Sequence, residues 1–200
     1  MRVALFGGTF DPMHSGHLAI ASAAADAFAL DMVFFAPVGR QPLKPEGTMA
    51  SFSDRLAMVE LACKGDSRFA ASDLDAPHAD GSANYTVDAV AELRRQLPGG
   101  TIFVLVGADS FLELPRWRQP DRLLGLAEWI VVSRPGFSLN DLAALGLSGG
   151  QMDRVHVLDG VHQEVSATEL RRRLLSGDDC GDLIPAEVVE YIRAHRLYAD

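Results

Sequence analysis

His14 and His17 flank Ser15-Gly16 within "GGTFDPMHSGH", a stretch that follows the apolar run "VALF" and precedes an alanine-rich segment. A turn needs glycine and proline, but it does not need histidine twice. Two imidazoles three residues apart at the start of a helix can converge on one space. There each can donate a hydrogen bond to a phosphoryl oxygen without burying a permanent charge. Gly7 and Gly8 let the backbone turn tightly off a strand and approach a ligand closely. Gly16 opens the following helix, whose free first-turn amides and positive dipole end favour an anion. Either histidine alone reads as a cap or a packed residue. The pair, at a glycine-rich strand-to-helix turn, reads as a phosphate site.

A second element of this kind is Val165-Ser166-Ala167-Thr168-Glu169-Leu170-Arg171. Ser166 as N-cap with Glu169 at the third helical position forms a capping box, and Val165 and Leu170 occupy staple positions. The same residues offer helix-start amides, two hydroxyls and Arg171 to a polyphosphate. On the pattern alone both readings stand. Motifs that would redirect the chemistry are missing: the chain has no Gly-Lys pair for a P-loop, no Gly-x-Gly, no His-Glu-x-x-His and no Cys-x-x-Cys. Gly146-Leu147-Ser148-Gly149-Gly150 matches a nucleophile elbow, which must join a strand to a helix. Here a helix-like run precedes it and a strand-like run follows, so Gly146 reads as a helix stop.

These residues must be positioned by short apolar runs alternating with amphipathic ones. Strands are expected at Val3–Phe6, Met32–Ala36, Phe69–Ser72, Ile102–Val106, Trp129–Ser133 and Val155–Leu158. Helices are expected at Leu18–Phe28, Asp54–Cys63, Val87–Leu97, Leu139–Leu145 and, entered through Pro185, Val188–Leu197. Several strands lack polar alternation, as strands buried on both faces do. The alternation predicts an α/β fold: a Rossmann-like, doubly wound parallel sheet with helices on both faces. One domain over 1–200 is expected, with a C-terminal helical part from about 166 packed on it. In such sheets ligands collect outside the carboxyl ends of the strands. The first histidine stretch, the segment from Gly107 and Ser133-Arg134-Pro135 all follow strands and should share that edge.

Composition narrows the partners. A net charge of −9 argues against a broad nucleic-acid surface, although a local basic pocket remains compatible with it. Cys63 and Cys180 form neither a disulfide framework nor a metal pattern, which fits a reducing cytoplasm. Arg2 leads directly into a strand-like run and Asp26 and Asp31 interrupt Leu18–Val38, so neither a signal peptide nor a membrane span is expected.

At these residues the chain resembles the nicotinate-nucleotide adenylyltransferases, nucleotidyltransferases marked by His-x-Gly-His. The resemblance runs along nearly the whole sequence. It recurs in Tyr85-Thr86-Val87-Asp88, in Gly107-Ala108-Asp109 followed by Trp117, in Ser133-Arg134-Pro135, and in the terminal "YIRAHRLY". It implies transfer of AMP from ATP to nicotinate mononucleotide by direct in-line attack, giving deamido-NAD and pyrophosphate. Magnesium (Mg2+) would arrive with ATP rather than on dedicated protein ligands. The resemblance places His14 and His17 on the transferring phosphate, and Arg171 and Lys44 on the β and γ phosphates. Gly8, Thr9, Phe10, Gly107, Asp109, Ser166 and Thr168 complete the ATP side. Thr86, Trp117, Arg118 and Arg134 are assigned to the nicotinate nucleotide, with the Trp117 face stacked on the pyridine ring. Trp117 also reads as core, Thr86 as the N-cap of its helix, and Lys44 as a solvated loop lysine. Two departures from the family pattern stand out: Ala167 replaces a common serine, and "QPLKP" lacks the histidine that often precedes the lysine.

Overall fold

The computed structural model describes residues 1–42, 47–133, 142–161, 165–178 and 180–199. Six strands form one sheet: β1 Arg2–Gly8, β2 Met32–Pro37, β3 Phe69–Ala71, β4 Thr101–Gly107, β5 Glu128–Val132 and β6 Val155–Leu158. Every neighbouring pair is parallel, in the order β3-β2-β1-β4-β5-β6. All six expected strands are present, Val155–Leu158 with both ends as expected and the others with ends displaced by at most two residues. The chain winds outward from β1 to β3, then returns to place β4 on the other side of β1. The crevice outside the carboxyl ends of β1 and β4 is therefore the topological switch point.

Side chains alternate along each central strand between two cores. Ala4 and Phe6 of β1, with Phe103 and Leu105 of β4, join one cluster; Val3, Leu5, Val104 and Val106 join the other. Helices α1 (Ser15–Phe28) and α2 (Phe52–Cys63) cover the first face, and α3 (Thr86–Gln96), α4 (Ala108–Leu112) and α5 (Pro120–Leu126) cover the second. Ala21, Ala24 and Ala25 lie at the buried face of α1, where small side chains admit close packing on the sheet. A short helix α6 (Gly149–Met152) precedes β6, and α7 (Ala167–Leu175) and α8 (Ala186–Ala194) follow it. Leu170, Ile184, Val188 and Ile192 are buried in the same cluster as Ala4 and Phe6. No helix among the described residues is long and apolar enough to cross a membrane.

Several local expectations are corrected. Helices α4, α5 and α6 are too short for apolar periodicity to reveal them. The helix expected over Leu139–Leu145 lies partly outside the described residues. Tyr85, not Thr86, is the N-cap of α3; Thr86 is its first helical residue. The capping box at Ser166 is not made: its side chain makes no cap bond, and Glu169 is drawn instead to Arg172 one turn on. A guanidinium three residues away offers a carboxylate two charge-assisted bonds, which outcompetes one backbone amide. At the rejected elbow, Ser148 caps α6 with its amide held by the Gln151 side chain at 2.8 Å, and Gly146 has φ +63.

Candidate functional site

The loop after β1 is folded over its own third residue. A Cβ on Gly8 would lie 3.0 Å from the Phe10 ring, so glycine is what lets that ring tuck beneath the strand end. Phe10 has φ +49, uncommon for a bulky residue, and its ring is 1% exposed, edge-on to Phe6 at 5.7 Å and to His17 at 4.9 Å. Its ring is core, so a ligand could meet only the backbone of Phe10.

His14 is the N-cap of α1, yet its side chain makes no cap bond. The two imidazoles stack instead, with centroids 3.6 Å apart and planes 20° apart. Gly16 permits this, because a Cβ there would press on the His14 ring at 3.1 Å. Both Nδ1 atoms are buried without a hydrogen-bond partner among the described residues. Burial lowers the His14 pKa to about 4. His17 falls well below its ordinary value, through burial first and the neighbouring His14 second. The pair is neutral near pH 7, each ring with one N–H to offer.

Arg171, from α7, brings the second element to the first. Its Nη1 donates to the Asp11 carbonyl at 2.7 Å, and its Nη2 to the Thr168 hydroxyl at 3.2 Å. Val165 stands over Gly16, 3.4 Å from where a Cβ would be. Two helix starts separated by about 150 residues in sequence therefore adjoin, with the exposed Ser166 and Thr168 on the α7 side.

Asp11, beside these groups, is 3% exposed. Its carboxylate accepts from the Met49 amide at 2.8 Å, the Ala50 amide at 3.1 Å and the Tyr198 hydroxyl at 2.5 Å. Arg55, 1% exposed, donates to the carbonyls of Thr9 at 2.7 Å and Val38 at 2.8 Å, clamping the β1 and β2 exits together. None of these roles was expected from sequence. A signal existed for Arg55: it shares a 3-4-7 spacing with Met58, Val59 and Ala62 on the buried stripe of α2.

Next to the histidines, a cavity of about 550 Å³ opens at the switch point. Gly8, Thr9, Thr86, Gly107, Trp117 and Arg118, all singled out in the sequence, line it. Trp117 packs toward Trp129, with centroids 6.1 Å apart, and also borders the cavity. The Arg118 guanidinium lies over the Tyr85 ring, 4.5 Å from its centroid. Asn84, unanticipated, ties two loops together by accepting from the Arg40 amide at 2.9 Å and donating to the Ala76 carbonyl at 2.8 Å. Asp75 also lines the cavity, and burial raises its pKa to about 6. Asp109 lies in the first turn of α4, at the same sheet edge. His14, His17, Asp109, Ser166, Thr168 and Arg171 are not among the cavity's lining residues. Lys44 and Arg134 lie outside the described residues.

Residues 5–173 match the Cytidylyltransferase-like family. A protein of Solibacter usitatus named "Probable nicotinate-nucleotide adenylyltransferase" is 40% identical over 200 residues, covering 99% of this chain and 100% of its own length. A Neisseria gonorrhoeae protein of the same name is 43% identical, with 98% of each chain covered. Among solved structures, the Plasmodium falciparum nicotinic acid mononucleotide adenylyltransferase complexed with NaAD shares the fold. Its TM-score is 0.75 at 16% identity, over 98% of this chain and 97% of that one. The same enzyme complexed with APC gives a TM-score of 0.73, with 98% and 96% covered. By its sequence along the full length, the chain belongs to the nicotinate-nucleotide adenylyltransferase family of nucleotidyltransferases.

Proposed function

We propose that this chain, acting as one domain, transfers AMP from ATP to nicotinate mononucleotide, releasing pyrophosphate and forming deamido-NAD. Its polyphosphate half is built on His14, His17 and Arg171, and its acceptor half is the cavity at Trp117. The observation that carries this reading is the bond from Arg171 to the Asp11 carbonyl. It sets a second helix start and a guanidinium against the histidine loop, beside a cavity large enough for a nucleotide.

The acceptor's phosphate has a second pKa of about 6, so at pH 7 it is largely a dianion and needs no base to attack. Neutral histidines suit this reaction, because nothing has to be deprotonated. The obstacle is charge: two anions must meet in line while pyrophosphate departs. Preorganised donors therefore supply the rate. His14 and His17 each direct an N–H at the α-phosphate, and Arg171 takes the departing phosphates with Thr168 and Ser166 beside it. Gly8, Thr9, Gly107, Asp109 and the Phe10 backbone complete the ATP side. Lys44 and Arg134 are assigned by family pattern alone.

Magnesium fits as an ion carried by the polyphosphate. No group of three His, Cys, Asp or Glu side chains that could hold a metal exists among the described residues. Magnesium in phosphate sites commonly keeps its waters and relies on substrate oxygens. When bound it would neutralise charge on the β and γ phosphates. Trp117 offers a face to the pyridine, and the Thr86 amide at the start of α3 and the Arg118 backbone offer donors to its carboxylate.

The test is direct. The purified chain with ATP, magnesium and nicotinate mononucleotide should yield deamido-NAD and pyrophosphate in equal amounts, identified by mass. ATP left intact in the presence of acceptor would reduce the chain to a binding protein on this fold.

A further inference from the structure

We infer that Tyr198, near the C-terminal end of the sequence, is a positioning residue for the polyphosphate half of the site, acting through Asp11. The inference rests on the reading just given. Tyr198 stands 187 residues from Asp11, is 5% exposed, and gives its hydroxyl proton to Asp11 Oδ1 at 2.5 Å. Its backbone takes φ +55, a left-handed conformation that a tyrosine adopts at some cost, which turns the ring inward after α8. Burial first, then Asp11, pushes the phenol well above its ordinary range, so the hydroxyl remains a donor at any working pH.

The bond does not serve to anchor α8. That helix is already fixed by Val188, Val189 and Ile192 in the core and by Tyr191 donating to Asp54 at 3.0 Å. What the Tyr198 hydroxyl adds is at the other end of the contact. The Asp11 carboxylate holds the Met49 and Ala50 amides, while the Asp11 carbonyl receives Arg171. One residue thus sets Met49 and Ala50 ahead of α2, the approach to His14 and the guanidinium of α7. Without the hydroxyl, Oδ1 keeps only the longer bond from Ala50, and the carboxylate is free to turn toward Arg55, whose charge attracts it. Asp11 would then no longer fix the direction of its carbonyl, and Arg171 would lose its bearing.

Tyr198→Phe keeps the ring and removes only the bond. Hydrogen bonds to charged groups are worth enough that we expect ATP to bind about tenfold more weakly, measured by calorimetry with ATP alone. KM for ATP should rise in parallel, with KM for nicotinate mononucleotide unchanged. A tyrosine that only stabilises the fold would lower Tm and leave the ATP affinity of the folded protein at the wild-type value, and that result overturns the inference. In a double-mutant cycle, Tyr198→Phe added to Asp11→Ala, which removes the acceptor, should cost no further ATP affinity, whereas additive losses would show that Tyr198 does not act through Asp11. In the unmodified protein, ATP should slow hydrogen exchange at the Met49 and Ala50 amides, because coupling is reciprocal. Unchanged exchange there also counts against the inference. A wild type that binds ATP without turnover would sink the proposed reaction and leave this inference standing.

Discussion

The two halves of the site are held in different ways. On the phosphate side, the groups that would meet ATP are braced by distant parts of the chain: Tyr198 and the Met49 and Ala50 amides on Asp11, Arg55 on the strand exits, Arg171 across from α7. Its histidines are locked by stacking and by the glycine beneath them. On the side proposed for the pyridine, Trp117 is partly buried and packs toward Trp129, and Arg118 is exposed, lying on Tyr85. Donors that act on a charge-shifting phosphoryl group must already be in place, since reorganisation during the reaction would forfeit their effect. Groups that recognise a flat ring need only contact area and a few donors. The contrast predicts that changes on the first side act on stability, kcat and ATP affinity, and changes on the second on KM for the pyridine nucleotide.

The largest effect should come from the brace itself. Arg55→Leu would leave two carbonyls without their donor, and each buried acceptor left unsatisfied costs about 1–3 kcal/mol. A chemical denaturation curve should show this as a loss of midpoint with little change in slope. Stability close to wild type would mean that the strand exits hold themselves, and the contrast between the halves would lose its basis.

His17→Ala comes next. Removing one preorganised donor raises a barrier by about 3 kcal/mol, a hundredfold or more in kcat. ATP binding should weaken far less, because the bond matters most as charge moves. Near-normal turnover would reassign the stacked rings to packing.

Trp117→Ala tests the other half. Aromatic stacking is worth about 0.5–1.5 kcal/mol, so KM for the pyridine nucleotide should rise by up to about tenfold while KM for ATP stays put. Nicotinate and nicotinamide nucleotides should suffer alike, since stacking acts on the ring. The wild type should still prefer nicotinate in kcat/KM, because an amide leaves donors facing donors where a carboxylate would accept. Equal efficiency for the two nucleotides would remove the carboxylate assignment. An unchanged KM in the variant would confine Trp117 to its contact with Trp129.

The same contrast explains what the sequence disclosed. The strands and long helices were legible because their apolar periodicity is local, and the doubly wound order followed from their alternation. The histidine pair stood out because two rings three residues apart fall at one helix entry, and the structure brings them into a stack. Asp11 sat inside the quoted stretch, yet its role depends on Tyr198 and Ala50, and no spacing rule reaches that far. Ser166 misled for the opposite reason. Its capping pattern is local and complete, but Arg172 competes for Glu169, and only three-dimensional geometry decides that contest. Asp75 and Asn84 belong to a loop with no periodicity, and their burial is set by the chain around them.

The smallest effect separates the halves by sign. His14 has a pKa of about 4 in the folded chain against 6.5 ordinarily, so between those values the unfolded chain binds more protons and stability rises with pH. Its contribution is present above 6.5 and is lost as pH falls toward 4. His17 adds the same sign and extends it to lower pH, because its value is depressed further. Asp75, in the lining of the cavity, runs the other way. Its folded value is about 6 against an ordinary 3.8, so the folded chain holds the extra proton, and its contribution is lost as pH rises through 6. In the wild type the acid therefore offsets part of what the histidines gain. Asp75→Asn removes the offset and keeps the side-chain volume. The difference in unfolding free energy between pH 7 and pH 5 should then grow by about 1 kcal/mol, from a shift worth ~1.4 kcal/mol per pH unit at its steepest. Denaturant curves of both proteins at the two pH values measure it. An unchanged difference would mean that Asp75 is already ionised in the folded chain at pH 5. Asp75 would then carry its charge across the whole interval, and burial in the cavity would not hold its proton.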